Sequence, residues 1–263
     1  MAIEITPLTK ADIAGSIECI QKAFADDPYF LWLFDQTKFN VKRNTVSLTG
    51  HYLHGLHTAA PVFVAREVPS AADSTEKAAV AVDEVECASS SSSSSSASVT
   101  AAATSPESTI LGISSWYAPH PPGNPEPWSH WVQEWILSIR QLVNIIRFGG
   151  RGGLNVKRYK TWKARQAEAQ AKVWTDPRGY YFCNVVAVDD RARGKGVGRK
   201  LIEAVTRRAD EEGMPCYLES SKLEPNVAIY RKMGFELVDE ITCEEGGEQC
   251  TLYAMIRQPQ TKA

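Results

Sequence analysis

The chain has 263 residues, of which 43% are hydrophobic, ample for the core of one large domain or two small ones. Its 29 lysines and arginines nearly balance 31 acidic residues, and a formal charge of −2 gives no global field to draw it to nucleic acid or to a membrane. No apolar run reaches the length of a membrane span, the opening Met1 to Thr6 lacks signal-peptide character, and six scattered cysteines make no C-x-x-C pair; a reduced, soluble, cytoplasmic protein without a metal is expected.

In chain order, Ile3-Glu4-Ile5 alternates as a short strand. Thr9 then caps a helix, Asp12 completes a capping-box-like pair, and Ile13, Ile17, Ile20 and Phe24 form the buried stripe. Ala25 to Phe34 sets an acidic turn before a dense aromatic run. It reads either as a short helix packed on the core or as one wall of a binding pocket. Residues 38 to 57 form a second helix carrying His51, His54 and His57. Their spacing of three splays the rings around successive turns, and no carboxylate or cysteine completes a metal site. Val62 to Ala65 and Ile110 to Tyr117 read as the two strands of a central hairpin.

Between those strands lies an insertion, approximately 68 to 107, with unbroken serine from Ser89 to Ser96. Such a composition cannot bury enough surface to offset its ordering entropy, so a disordered tether is predicted, with Ala78 to Val82 the one piece suited to extend a strand. A proline-rich link, Pro121 to Pro127, leads into a helix. There Trp128, Trp131, Trp135, Ile136, Ile139, Leu142, Val143 and Ile146 recur every three or four residues, a stripe expected to be core or pocket wall. The glycines from Phe148 to Gly153 follow no buried strand and read as a flexible loop rather than a phosphate cradle. Lys157 to Lys172 is basic and polar, and predicts a solvated helix.

The most informative stretch follows. Tyr180 to Val188 is a β-branched and aromatic run without polar alternation, a buried strand. After Asp189 to Ala192 come Gly194, Gly196 and Gly198. Then Val197, Leu201, Val205 and Ala209 recur at four-residue intervals beside Ile202, so a helix begins within the glycines. Strand, glycine turn and helix N-terminus together bind an anion, because unpaired N–H groups and the positive end of the helix dipole converge where side chains are missing. The P-loop pattern fails for want of its final Lys-Ser/Thr, and the spacing G-x-G-x-G excludes the dinucleotide fingerprint. A second strand candidate, Pro215 to Ser221, precedes Glu224 to Phe235. Pro225 suits the first turn of a short helix and Gly234 its stop; Asn226, Tyr230 and Met233 share one face. Phe235 to Ile241 and Gln249 to Ile256 make a closing hairpin.

Arg193, Gly196 and Gly198 form R-x-x-G-x-G, which resembles the pyrophosphate motif of the GCN5-related N-acetyltransferases (GNAT). Asn226, Tyr230 and Gly234-Phe235 match the second signature of that family, and the two blocks cover about 60 residues in the strand-helix-strand-helix order the family shows. Within it, Ala23 to Pro28, Tyr217 to Ser221 and Tyr230 to Phe235 resemble the puromycin N-acetyltransferase-like small-molecule enzymes. The serine-rich insertion and the middle helices depart from that pattern.

The resemblance implies a single α/β GNAT domain over 1–263, with a mixed, mostly antiparallel sheet splayed at an acetyl-CoA cleft and flanked by helices. Acetyl-CoA would lie along Val186, Ala187 and Val188, with its diphosphate on Arg193, Gly194, Lys195, Gly196, Val197, Gly198 and Arg199, and Asn226 and Tyr230 beside it. Tyr230 would be the general acid, against a plain reading as a core aromatic. Glu219 is the candidate base through water, against a reading as a structural acid. Asp26, Asp27, Tyr29, Phe30 and Trp116 would face the acceptor. The implied reaction is transfer of acetyl to the amine of a small molecule, in a monomer or homodimer that binds neither nucleic acid nor membrane. A protein or peptide acetyltransferase and a non-catalytic acyl-CoA-binding regulator are the alternatives.

Overall fold

The computed structural model of the protein describes residues 2–68, 109–120 and 127–260. Strand β1 spans Ala2–Pro7. A 3-10 turn over Lys10–Asp12 leads into α1, Ile13–Ala23, and the expected capping box is closed: Thr9 N and Oγ1 both donate to Asp12 Oδ2, at 2.8 and 2.6 Å. Next come α2 over Pro28–Leu33, α3 over Val41–His57, β2 over Val62–Val68 and β3 over Ile110–Tyr117. The predicted disordered insertion, apart from Val68, and most of the proline-rich link lie outside the described residues.

Helix α4 covers Trp128–Arg147 and α5 Val156–Val173. The glycine loop between them is docked, with Asp35 N donating to Gly153 O at 2.8 Å and Arg43 Nε to Gly150 O at 3.3 Å. The chain continues through β4, Tyr181–Val188, α6, Val197–Glu212, and β5, Cys216–Ser220. One π-type turn over Leu223–Val227 enters α7, Ala228–Arg231, which stops at Gly234 with φ of 86°. The predicted closing hairpin is β6, Glu236–Glu245, and β7, Glu248–Arg257.

Among the described residues seven strands form one sheet in the order β1-β2-β3-β4-β5-β7-β6, antiparallel throughout except at β4–β5. The expected mixed, mostly antiparallel sheet is therefore the one found. On one face, α6 packs Ile202, Val205 and Ala209 against Trp116, Tyr181, Leu218 and Met255. On the other, α1 and α3 cover Val64, Ile113 and Ala187 with Ile17, Ile20 and Tyr52, and α2 and α5 cover Tyr217, Ile241 and Leu252. Gly112 permits this closeness on the α6 side. A Cβ there would lie 2.9 Å from Ala187 O and 3.0 Å from Leu201 Cδ1.

Two helices depart from expectation. The α4 stripe is neither core nor pocket wall: Trp128, Trp131, Trp135, Ile139, Leu142, Val143 and Ile146 are all more than half exposed. Its opposite, polar side docks on α3, because α3 offers main-chain carbonyls, a hydroxyl and the bare surface of Gly50. Ser47 Oγ donates to Gln141 Oε1 at 2.8 Å, Gln141 Nε2 to Ser47 O at 3.0 Å, and buried Asn144 Nδ2 to Arg43 O at 3.1 Å. Glu134 pairs with His54 at 3.1 Å. Helix α5 is not solvated all round either. It buries Gln166 and Ala169, and Trp162 packs on the core beneath α2.

Candidate active site

The glycine turn sits at the end of β4. Asp189 holds its start: Asp189 Oδ1 accepts from Arg191 N at 3.0 Å and the carboxylate takes a bidentate pair from the Arg191 guanidinium at 2.7 and 2.9 Å. That hydrogen-bonded guanidinium pulls the Asp189 pKa down to about 2. Gly194 and Gly196 have φ of 75° and 76°, and a Cβ at either would meet nothing within 4 Å, so left-handed backbone is what requires glycine there. Gly198 has ordinary helical backbone, and a Cβ would make only a 3.5 Å contact with Val188 Cγ2. Neither strain nor crowding inside the protein calls for glycine at that position.

Gly196 is the N-cap of α6, and the first intrahelical bond runs from Lys200 N to Gly196 O at 3.1 Å. The N–H groups of Val197, Gly198 and Arg199 thus have no intrahelical acceptor and point out of the helix end. Arg193, Lys195 and Arg199 are exposed around it; Arg193 pairs with Asp190 at 2.9 Å and Arg199 with Glu203 at 2.6 Å. Exposed pairs of this kind are weak and exchange readily for a phosphate.

Below the turn the sheet opens. β4 and β5 pair only at Tyr181–Cys216, Phe182–Tyr217 and Cys183–Leu218, after which neither strand is the other's neighbour. At the parting point β4 carries a bulge: Cys183 lies opposite Trp116 and Val185 opposite Ser115, so Asn184 is skipped and exposed. One edge of Val186, Ala187 and Val188 is bonded to β3, and the edge facing β5 has no strand partner among the described residues.

Two titratable groups flank this gap. Glu219, on β5 just past its last pair with β4 and opposite Ala254 of β7, accepts from Tyr217 OH at 2.8 Å and from Gln166 Nε2 at 2.8 Å. Burial raises its pKa, while those two hydrogen bonds oppose the rise. Lys163 Nζ donates to Gln166 Oε1 at 2.8 Å and lies 4.7 Å from the Trp162 ring centroid, and Tyr29 stacks at a tilt on Trp162 at 5.1 Å. Tyr230 belongs to the α6 side, packed with Cys183, Leu218 and Val186. Burial, then the charges of Cys183 and Asp27, raises its phenol pKa. Asn226 is half-buried one turn ahead of it.

The acceptor-side residues divide. Asp27 is buried, with Oδ1 accepting from Tyr29 N and Phe30 N at 3.0 and 3.2 Å and Oδ2 accepting from Ser221 Oγ. Both oxygens are engaged by the protein itself. Asp26 is exposed and pairs with Lys222 at 3.3 Å. Tyr29 packs on Trp162, and burial, then the charge of Glu219, raises its phenol pKa, whereas Phe30 joins Phe34 and Phe39 at 4.7 and 5.0 Å. Trp116 is fully buried in the α6-side core, while its neighbour Tyr117 is more than half exposed and packs against Phe182 at 5.9 Å. Sequence reasoning missed Gln166, Lys163 and Trp162. Their i, i+3 and i, i+4 spacing on one helix side, and the alternation that puts Tyr217 and Glu219 on one strand face, were the available signals.

A sheet parted after three parallel pairs, over a glycine turn that opens a helix, defines an acetyltransferase fold. The profile of the acetyltransferase (GNAT) domain matches residues 157–237, the stretch that holds α5, β4, the turn, α6, β5 and Tyr230. Two uncharacterized N-acetyltransferases of Schizosaccharomyces pombe are similar to it. One is 41% identical over 88 residues, 34% of this chain and 35% of that protein; the other is 34% identical over 90 residues, 32% and 36%. The chain thus matches about a third of the length of those relatives. Among solved structures, a Corynebacterium glutamicum protein described as histone acetyltransferase HPA2 and related acetyltransferase superposes with a TM-score of 0.53 at 18% identity, over 100% of this chain and 99% of that one. A mosquito arylalkylamine N-acetyltransferase-like protein gives 0.52 at 12% identity, over 98% and 100%. At such identities the likeness is one of fold.

Proposed function

We propose that this chain is an acetyl-CoA-dependent N-acetyltransferase that passes an acetyl group directly to the amine of a small molecule, with both substrates bound together. The observation that carries the reading is the parting of β4 from β5 after three parallel pairs, with half-buried Glu219 on β5 just past the last pair, Tyr230 packed on the cluster that holds Cys183, and a helix N-terminus with outward N–H groups after β4.

The residues fit the coenzyme. Gly198 serves no internal purpose, so its bare backbone suits close approach of a ligand. Acetyl-CoA would supply an acetyl group activated as a thioester. The amides of Val197, Gly198 and Arg199, with the charges of Arg193, Lys195 and Arg199, would hold the diphosphate. The open edge of Val186, Ala187 and Val188 would bind the pantetheine arm as an added strand does. A backbone N–H of the splayed strand would stabilise the carbonyl oxygen as it gains charge, a contribution of ~3 kcal/mol per donor in other enzymes. Glu219, made more basic by burial, would take the proton of the incoming ammonium, directly or through water. Tyr230 remains protonated across the working pH range and would hold its proton toward the departing sulfur. Tyr29, Trp162 and Tyr117 supply apolar walls for a small acceptor, with Asp26 at the exposed margin.

A thiol-release assay over small amines and basic peptides tests this. Turnover on small amines supports it; turnover on peptides alone, or none with acetyl-CoA still bound, overturns it in favour of a protein acetyltransferase or an acyl-CoA sensor. Activity should fall as pH drops through the raised Glu219 pKa, since protonation removes the base. Glu219→Gln should abolish that acidic limb and lower kcat by about 10²-fold or more, and Tyr230→Phe should cost about 10²-fold with acetyl-CoA affinity retained.

A further inference from the structure

Helix α4 presents an apolar face that the fold leaves open. Trp128, Trp131, Trp135, Ile139, Leu142 and Ile146 are each more than half exposed, while the far side of the helix is fixed to α3 by Gln141, Asn144 and Glu134. At 3.6 residues per turn these side chains, with exposed Val143, cover an arc of about 120° with no drift along five turns. A coiled-coil seam is narrower and follows a seven-residue repeat that forces supercoiling. A wide, straight stripe fits a flat apolar medium better.

Charge says which medium. Between Trp128 and Asn155 the only carboxylate is Glu134, and it is turned to His54 on α3. Arg140 and Arg147 are exposed along one rim of the stripe, and Arg151 is exposed just beyond the helix. An antiparallel pairing of two copies would set that basic rim against itself, like charge on like. The three tryptophans, grouped in the first half of the helix, are the side chains that prefer the boundary between lipid headgroups and acyl chains. We infer that α4 is a membrane-docking helix that lies in the surface of an anionic phospholipid bilayer, apolar arc down, with Arg140 and Arg147 on the headgroups. The near-neutral overall charge does not oppose this, because attraction within a Debye length depends on the local rim rather than on the whole chain. The site is separate from the acetyltransferase residues, so it stands or falls independently of them.

The test is flotation of the full chain with vesicles of phosphatidylcholine alone and of phosphatidylcholine with about 30 mol % phosphatidylserine, together with tryptophan emission. The expected result is binding to the anionic vesicles with blue-shifted emission, weakened by salt, and much weaker binding to phosphatidylcholine alone. Trp131→Asp with Ile139→Asp should reduce it by about tenfold or more, while the acetyl-CoA affinity measured by calorimetry stays unchanged. Arg140→Glu with Arg147→Glu, a change confined to exposed polar positions, should remove the preference for phosphatidylserine. The inference is overturned if the wild-type chain ignores anionic vesicles, if neither pair of substitutions alters binding, or if light scattering reveals a dimer that Trp131→Asp with Ile139→Asp dissolves, which would make the face a subunit interface.

Discussion

Helix α6 buries Val197, Leu201, Ile202, Val205 and Ala209 against the sheet, whereas α4 turns Trp131, Ile139 and Leu142 to solvent and holds the body of the protein with amides and a carboxylate. Both helices have a strong apolar side. What separates them is the surface each one meets. The sheet offers α6 the bare backbone of Gly112 and a floor of Ala65 and Leu111 with Ile3 and Ile5 of β1, so its aliphatic ridge can seat. α3 offers α4 the hydroxyl of Ser47 and main-chain oxygens, which an aliphatic ridge would leave unsatisfied. An amphipathic helix thus records that one side avoids water, and its neighbours determine which side they receive.

This contrast can be broken by three measurements. Leu201→Ala, at a fully buried site on α6, should lower unfolding free energy by about 3 kcal/mol in urea denaturation. Gly198→Ala, at the same helix's exposed end, should lower acetyl-CoA affinity about tenfold by calorimetry, yet leave stability unchanged or raised by about 0.5 kcal/mol, because alanine is the better helix former. Leu142→Ala on α4 should cost less than about 0.5 kcal/mol in the isolated chain. A loss there as large as at Leu201 would mean that the α4 face is covered in solution and the contrast is false.

Much of the fold was legible in the residues. The run Ile110 to Tyr117 is a strand at those bounds, and the capping box at Thr9 and Asp12 closes as its spacing implies. Trp116 lies on the α6 face with Gly112 and Ser114 by the plain alternation of β3, and alternation alone does not say which of a strand's two faces meets which helix. Gln166 and Lys163 were hidden for a different reason. A polar residue turned toward a buried carboxylate and one turned toward water look alike in a sequence, and only the long-range contact with Glu219 separates them. Asp27 shows the converse: its charge suggested a ligand contact, while its local turn and the distant Ser221 occupy both oxygens.

That last arrangement has a consequence for how such a scaffold could change its preferences. One side chain both starts α2, which carries Tyr29 to the pocket, and tethers the segment leaving β5, which carries Glu219. Substitutions from Pro28 to Phe34 can therefore proceed freely only while position 27 keeps its carboxylate, since losing it would release the start of α2 and the segment after β5 in a single stroke.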